Sequence, residues 1–202
     1  MRAYAAVLNA LTRANTLVLA VGRNLAWIAM ALMVAVILAQ VFWRYALDDP
    51  LSWPEEAARG LMIWMMGLIA PTAWRWGGFV SIDLVPDALP PRAGDALKLV
   101  ILLLATVVLV FLLSQAWDQY NARMLFNSSG LNRLLQDSGI NEALGTNIEF
   151  RTSAIFLAMS VLFALMLSVS AELILRAVGR LAFGAEKFPD PDRPFALVAA
   201  AE

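Results

Sequence analysis

Four long apolar runs constrain the fold of this 202-residue chain more than any other feature of its sequence. A bilayer core about 30 Å thick requires roughly 20 consecutive apolar residues in a helix that crosses it. Runs of about this length cover residues 25–45, 55–76, 96–117 and 152–175. Because lipid offers no hydrogen-bond partner to backbone amides, each run must be helical. The sequence therefore predicts an all-α integral membrane bundle with four transmembrane helices.

The composition excludes several kinds of chemistry. The chain contains no cysteine and no histidine, so it can form neither a thiolate or imidazole metal site nor a histidine-based catalytic dyad. Its 15 basic and 16 acidic residues give a net charge of −1, which provides no electrostatic basis for binding nucleic acid. We therefore predict neither an enzyme nor a cofactor site, and no nucleic-acid partner.

The distribution of lysine and arginine predicts the orientation, because basic residues near the ends of spans remain on the cytoplasmic side. If the N-terminus is inside, the cytoplasmic side holds Arg2, Arg13, Arg23, Arg75, Arg92, Lys98, Arg176, Arg180, Lys187 and Arg193. The outer side then holds Arg44, Arg59, Arg123, Arg133 and Arg151. This two-to-one bias predicts that both termini are cytoplasmic.

Three further segments surround the spans. Residues 2–22 place apolar side chains at helical intervals between polar ones, which predicts an interfacial helix. The long polar connection at 118–151 is expected on the outer face. Residues 185–202 contain three prolines, a linker composition that predicts a mobile cytoplasmic tail. The membrane domain is therefore predicted to cover residues 1–184.

The connection between the first two runs carries the most informative local pattern. Ser52 or Trp53 can cap a helix that begins at Pro54, a residue favoured at the first helical position. Glu55 and Arg59 are four residues apart in the favourable order, so a surface ion pair is expected. An arginine at the membrane boundary requires a nearby carboxylate, a partner subunit, or a side chain that reaches the interface.

The residues around this connection also resemble a known family. Arg44-Tyr45, Trp53-Pro54-Glu55-Glu56, Arg59, Ile63-Trp64, Gly67, Arg75, Gly77 and Ile82-Asp83-Leu84 resemble the small membrane subunit, DctQ type, of tripartite ATP-independent periplasmic (TRAP) transporters. The motif content covers about residues 40–90. The family pattern places a histidine after the second span, where this chain has Gly77-Gly78-Phe79-Val80. No role that depends on imidazole is therefore expected.

The resemblance implies a secondary importer of organic acids in the bacterial inner membrane. Its other components would be a soluble periplasmic binding protein and a large multi-span membrane subunit that carries the substrate and sodium sites. This chain would be the small, non-catalytic scaffold subunit. The sequence favours the same role, because a solute path needs polar groups at mid-depth, and Thr106 and Ser160 are the main ones expected in the third and fourth runs.

Two sets of candidate residues follow. Subunit contacts or structural roles are expected for Gln40, Arg44, Tyr45, Trp53, Glu55, Glu56, Arg59, Trp64, Gly67, Arg75 and Asp83. Docking of the binding protein to the outer face is expected to use Asp48, Asp49, Asp137, Glu142 and Glu149. Small residues such as Gly60 and Gly67 predict close approach between helices.

Two alternatives belong to other classes. A stand-alone four-helix membrane protein, such as a quinone-associated redox anchor subunit, is compatible with the span count, but bis-histidine haem ligation is not. A membrane enzyme using Glu55, Glu56 and Asp83 would place Asp83 on the opposite side from the glutamates. No nucleophile accompanies either group, and neither alternative is favoured over the TRAP subunit.

Overall fold

A computed structural model of the chain describes residues 2–48, 51, 53–77, 89–121, 132 and 153–184. Four long helices cover most of these residues: α1 is Arg2–Ala46, α2 is Pro54–Arg75, α3 is Pro91–Asn121 and α4 is Ser153–Phe183. The predicted all-helical architecture is confirmed. The predicted tail at 185–202 and the candidates Asp49, Asp83, Asp137, Glu142 and Glu149 lie outside the described residues.

Three of the helices, α1, α3 and α4, are long and apolar enough to cross a membrane. The helix α2 is shorter and carries Glu55, Glu56 and Arg59 in its first two turns, which lowers its hydropathy. The structure therefore supports three apolar spans by length and composition, and the fourth span remains a prediction.

The start of α2 follows from its local sequence. The Ala57 amide donates a hydrogen bond to the Trp53 carbonyl over 3.0 Å, so Trp53 is the N-cap residue. Pro54 occupies the first helical position and is buried. Of the two predicted capping residues, the structure therefore uses Trp53.

Glycines end α2 and α4. Gly77 has φ 70° just beyond α2, and Gly184 has φ 95° just beyond α4. These left-handed conformations suit glycine, which has no Cβ to clash with the backbone. The Gly184 amide donates to the Arg180 carbonyl over 2.9 Å and so satisfies one of the last carbonyls of α4.

The helix α1 is continuous where the sequence predicts an interfacial helix at 2–22 and a separate first span. It runs for 45 residues and contains no proline. Its single glycine, Gly22, lies inside the helix, where an added Cβ would be only 3.2 Å from the Leu68 carbonyl oxygen. The change from mixed to purely apolar sequence near residue 22 therefore does not interrupt the backbone. An interfacial position for residues 2–22 remains a prediction.

Contacts divide the chain into two compact units. Unit 1 contains Met1–Val21, Ile69–Leu112 and Phe163–Glu202, and unit 2 contains Gly22–Leu68 and Leu113–Leu162. The buried apolar side chains of unit 1 are mostly large, and they include Leu8, Leu19, Leu109 and Val169. Those of unit 2 are alanines: Ala26, Ala29, Ala116 and Ala158. Small side chains of this kind allow helix backbones to approach closely.

Gly67 lies at such a close approach in unit 2. A Cβ added to Gly67 would lie 3.1 Å from the carbonyl oxygen of Ala158, a residue that is 1% exposed. A Cβ added to Gly60, in the same helix, would meet nothing within 4 Å. The sequence predicts close helix contact at both glycines, whereas the structure shows it at Gly67 and not at Gly60.

Large apolar side chains cover the outer faces of the helices. Trp27 and Leu38 on α1, and Leu104 and Val107 on α3, are each exposed over more than half of their surface. Water-soluble monomers rarely expose contiguous apolar surface of this extent. These faces therefore suit a lipid environment or a membrane partner.

We predict that Gly67→Val destabilises the chain and that Gly60→Val does not. The two changes have the same intrinsic effect on a helix, but only the first forces apart α2 and α4. Overpacking of this kind typically costs about 1–3 kcal/mol. Thermal unfolding in lipid nanodiscs, followed by tryptophan fluorescence, measures the difference, and equal melting temperatures for the two variants would contradict the proposed close contact.

Candidate functional site: a buried ion cluster in unit 1

A fully buried carboxylate forms the centre of unit 1. Glu172 lies in α4 and its side chain is 0% exposed. Its Oε1 atom accepts hydrogen bonds from Arg75 Nη2 at the end of α2, over 2.9 Å, and from Arg176 Nη2 one turn further along α4, over 3.0 Å. The two guanidinium groups are themselves mostly buried, with 9% and 13% of their side chains exposed.

The N-terminal segment of α1 supplies the remaining ligands of this carboxylate. Thr12 Oγ1 donates to Glu172 Oε1 over 3.2 Å, and Asn15 Nδ2 donates to Glu172 Oε2 over 2.8 Å. Asn15 is also bonded to Ser168: its Nδ2 donates to the Ser168 carbonyl over 3.2 Å, and its Oδ1 accepts from Ser168 Oγ over 2.6 Å. The amide of Asn15 is therefore fixed in orientation by both its nitrogen and its oxygen.

The two arginines also reach α1 directly. Arg75 Nη1 donates to Thr16 Oγ1 over 2.9 Å, and Arg176 Nη2 donates to Thr12 Oγ1 over 3.0 Å. We call the residues Thr12, Asn15, Arg75, Glu172 and Arg176 the Glu172 cluster. Its members come from α1, α2 and α4, so the cluster joins three helices.

Polar contacts beside the cluster connect the same helices. Trp74 Nε1 donates to Ser170 Oγ over 3.0 Å and links α2 to α4. The Tyr4 hydroxyl donates to the Leu175 carbonyl and links α1 to α4. Farther along α4, Arg180 lies 3.8 Å from the Asp95 carboxylate of α3, in an ion pair that is mostly buried.

The charges and hydrogen bonds of the cluster indicate what it can do chemically. Two guanidinium groups surround one carboxylate, so the cluster carries one net positive charge. Five donor contacts converge on Glu172, four of them on Oε1 and one, from Asn15, on Oε2. Such hydrogen bonds offset part of the cost of taking the charges out of water, although the buried Arg75 Nε has no hydrogen-bond partner among the described residues. This arrangement suits the joining of helices rather than the binding of a cation.

The predicted site residues fall into both units. Arg75 belongs to the Glu172 cluster, in unit 1. Glu55 and Arg59 form the expected ion pair over 3.0 Å, and their side chains are 74% and 61% exposed. Arg44 is exposed, with its guanidinium carbon 5.9 Å from the ring centroid of Tyr45. Gly67 lies at the contact between α2 and α4.

The remaining described candidates show a range of exposure in unit 2. Asp48 is exposed and has φ 53°, just beyond the end of α1. The other side chains are half-buried, and they are Gln40, Trp53, Glu56 and Trp64. These residues lie in unit 2, whereas Arg75 lies in unit 1.

The structure shows how the hydroxyls of Thr106 and Ser160, the polar groups expected at mid-depth in the third and fourth runs, are bonded. Both hydroxyls bond to their own helix, Thr106 to the Leu102 carbonyl over 2.7 Å and Ser160 to the Phe156 carbonyl over 3.1 Å. The important polar residue is Glu172, which lies within the fourth run. A carboxylate in an apolar run, followed four residues later by arginine, is the signal that would have identified it.

Long helices with apolar outer faces and buried ions that pair with one another define the class: a helical, multi-pass membrane protein. The sequence profile of the DctQ component of tripartite ATP-independent periplasmic transporters matches residues 33–180, and the chain belongs to this family. It is a TRAP small permease subunit, which is a transporter component and not an enzyme.

Two relatives are similar over more than half of the chain. The small permease protein SiaQ of a sialic acid TRAP transporter from Vibrio cholerae is 32% identical over 118 residues, which are 55% of this chain and 68% of the relative. A Haemophilus influenzae protein assigned as a TRAP transporter small permease is 26% identical over 115 residues, which are 57% and 67% of the two chains. Arg75, Glu172 and Arg176 lie inside the range matched by the family profile, whereas Thr12 and Asn15 precede it.

We predict that Glu172→Gln destabilises the chain far more than Glu55→Gln. The first change leaves two buried guanidinium groups without their carboxylate, and breaking a buried ion pair in this way costs about 3–5 kcal/mol. The second breaks an exposed pair that contributes at most about 1 kcal/mol. Melting temperatures of the two variants in nanodiscs provide the comparison. A similar small shift for both would show that the Glu172 cluster does not hold the helices together.

Proposed function

We propose that this chain is the small, non-catalytic scaffold subunit of a TRAP-type secondary importer and that it braces the large transport subunit. The observation that carries this proposal is the burial of Glu172 among donors from its own chain. A group that binds and releases a solute must exchange its partners, and the five contacts to Glu172 leave little capacity for that exchange. A rigid cluster of this kind supports a brace.

The partners follow from the tripartite family. We propose a large multi-span membrane subunit, which would carry the substrate and sodium sites, and a periplasmic substrate-binding protein. The cargo is proposed to be an organic acid, since the Vibrio cholerae relative is named for sialic acid, which is a carboxylic acid. The broad apolar faces of α1 and α3 support a position against lipid and a large membrane partner.

The proposed location is the bacterial inner membrane, with four spans and both termini in the cytoplasm. The 22 residues of α2 correspond to about 33 Å of helix, which is sufficient to cross a hydrocarbon core of about 30 Å. The basic residues support the orientation. Among the described basic residues that this orientation places in the cytoplasm, all except Arg23 lie in unit 1. Arg44 and Arg59, which it places outside, lie in unit 2.

Docking of the binding protein is proposed for the outer face, through Asp48, Asp49, Asp137, Glu142 and Glu149. The exposure of Asp48 beyond the end of α1 supports its part in this surface. Membership of the DctQ family favours this transporter role over the alternative of a stand-alone quinone-associated redox anchor.

We predict that Arg44→Ala and Arg59→Ala weaken assembly with the large subunit more than they alter cargo preference. These side chains are exposed on unit 2, where the proposal places part of the contact with partners. Co-purification of the tagged chain with the large subunit measures assembly, and uptake of competing acids into proteoliposomes measures preference. Arg92→Ala, an exposed arginine in unit 1, is the matched control.

Two results would contradict the scaffold role. One is a changed cargo preference in a complex that assembles normally. The other is uptake of an organic acid by vesicles that contain this chain alone, because a scaffold has no transport path of its own.

The orientation predicts which positions react with a membrane-impermeant thiol reagent. The natural chain has no cysteine, so single introduced cysteines report one position each. In intact cells, Asp48→Cys is expected to react from the periplasm, whereas Arg13→Cys is expected to react only after the membrane is opened. The reverse pattern would show that the N-terminus is outside.

A further inference from the structure

The buried face of α1 repeats every seven residues. Leu8, Asn15, Gly22 and Ala29 are buried and spaced by seven, and Leu19 and Ala26 form a second buried set with the same spacing. This repeat is typical of helices that pack along their length. Gly22 is closely packed in unit 2, whereas within residues 2–21 the buried apolar positions, Leu8 and Leu19, do not by themselves select one alignment.

Lipid does little to select one of these registers. Apolar side chains gain little by leaving hydrocarbon for a helix surface, so the apolar members of the repeat do not distinguish strongly between alignments. The only polar member of the two buried sets is Asn15, and it faces Glu172 and Ser168. A buried asparagine in a packed helical seam is known to specify register at some cost in stability.

A shift by one repeat would remove the donors that Glu172 requires. It would move α1 by about 10 Å along its axis. The positions of Thr12 and Asn15 would then be taken by Leu19 and Gly22 in one direction, or by Ala5 and Leu8 in the other. None of these side chains can donate a hydrogen bond, so Glu172 would lose the two donors that α1 supplies.

We infer that the Glu172 cluster sets the register of residues 2–21 of α1 against α2 and α4. Asn15 and Thr12 are positioning residues that permit a single alignment, and Glu172 is the fixed point to which they bind. These two residues precede the range matched by the family profile, so family membership does not account for this contact.

Spin labels can measure this register in the full-length chain, because introduced cysteines are the only thiols present. Ala10→Cys on α1 and Val108→Cys on α3 are exposed positions, and both lie in unit 1. Double electron–electron resonance in lipid nanodiscs is expected to give one narrow distance for the labelled parent. With Asn15→Leu, we expect a broad distribution or additional distances that correspond to displacements of about 10 Å along the helix.

Asn9→Leu is the matched control, since it makes the same change at an exposed position of the same helix in unit 1. It is expected to leave the narrow distance unchanged, and Glu172→Gln is expected to broaden it as Asn15→Leu does. An unchanged single distance in Asn15→Leu overturns the inference, whatever its melting temperature. Loss of helical circular dichroism in Asn15→Leu also overturns it, because the contact would then be required for folding rather than for alignment.

Discussion

A carboxylate enclosed by apolar helices must be neutralised by partners from those helices, and this requirement organises unit 1. Glu172 is 0% exposed and holds two guanidinium groups, one from its own helix and one from α2. Removing any of these charges from water is costly unless the others accompany it. The pairing therefore links segments that are about a hundred residues apart in sequence. Leu8 and Leu19 of α1 are buried in the same unit.

Unit 2 is held by a different interaction. Its buried apolar side chains are alanines, and Gly67 lets the backbones of α2 and α4 approach so closely that a Cβ would crowd the Ala158 carbonyl. One ion pair of this unit, Glu55–Arg59, is exposed and lies within one helix, so it does not connect helices. Close van der Waals packing of small residues is a principal source of helix attraction in lipid, whereas exposed ion pairs contribute little. Buried ion pairs in unit 1 and close packing of small residues in unit 2 are both effective in lipid, where the hydrophobic effect between helices is weak.

The sequence predicts the helices well because their determinants are local. The length of the apolar runs identifies all four, and Pro54 marks the start of α2. The sequence does not reveal that α1 is continuous. The change of pattern near residue 22 indicates two environments, but a change of environment does not by itself break a helix. Gly22 is instead packed against the Leu68 carbonyl. The length of an apolar run also changes little when it contains a single charged residue, so run length alone does not identify Glu172. Even a recognised Glu172 would not reveal Asn15 as its partner, since that pairing depends on how the helices align.

The Glu172 cluster changes the physical reason for expecting a scaffold. A sequence with few polar groups at mid-depth suggests a brace because it lacks a solute path, and the buried arginines and glutamate lie near the ends of the predicted spans rather than at their centres. What distinguishes a structural ion from a transport site is whether its contacts can be exchanged. Glu172 receives donors from three helices of one chain. Its nearest charges are the two guanidinium groups, which repel any further cation while they are bonded to the carboxylate. The proposed large partner, with a substrate site that moves, would need a neighbour whose internal contacts do not change during the cycle, and a buried ion cluster held within one chain fits that proposal.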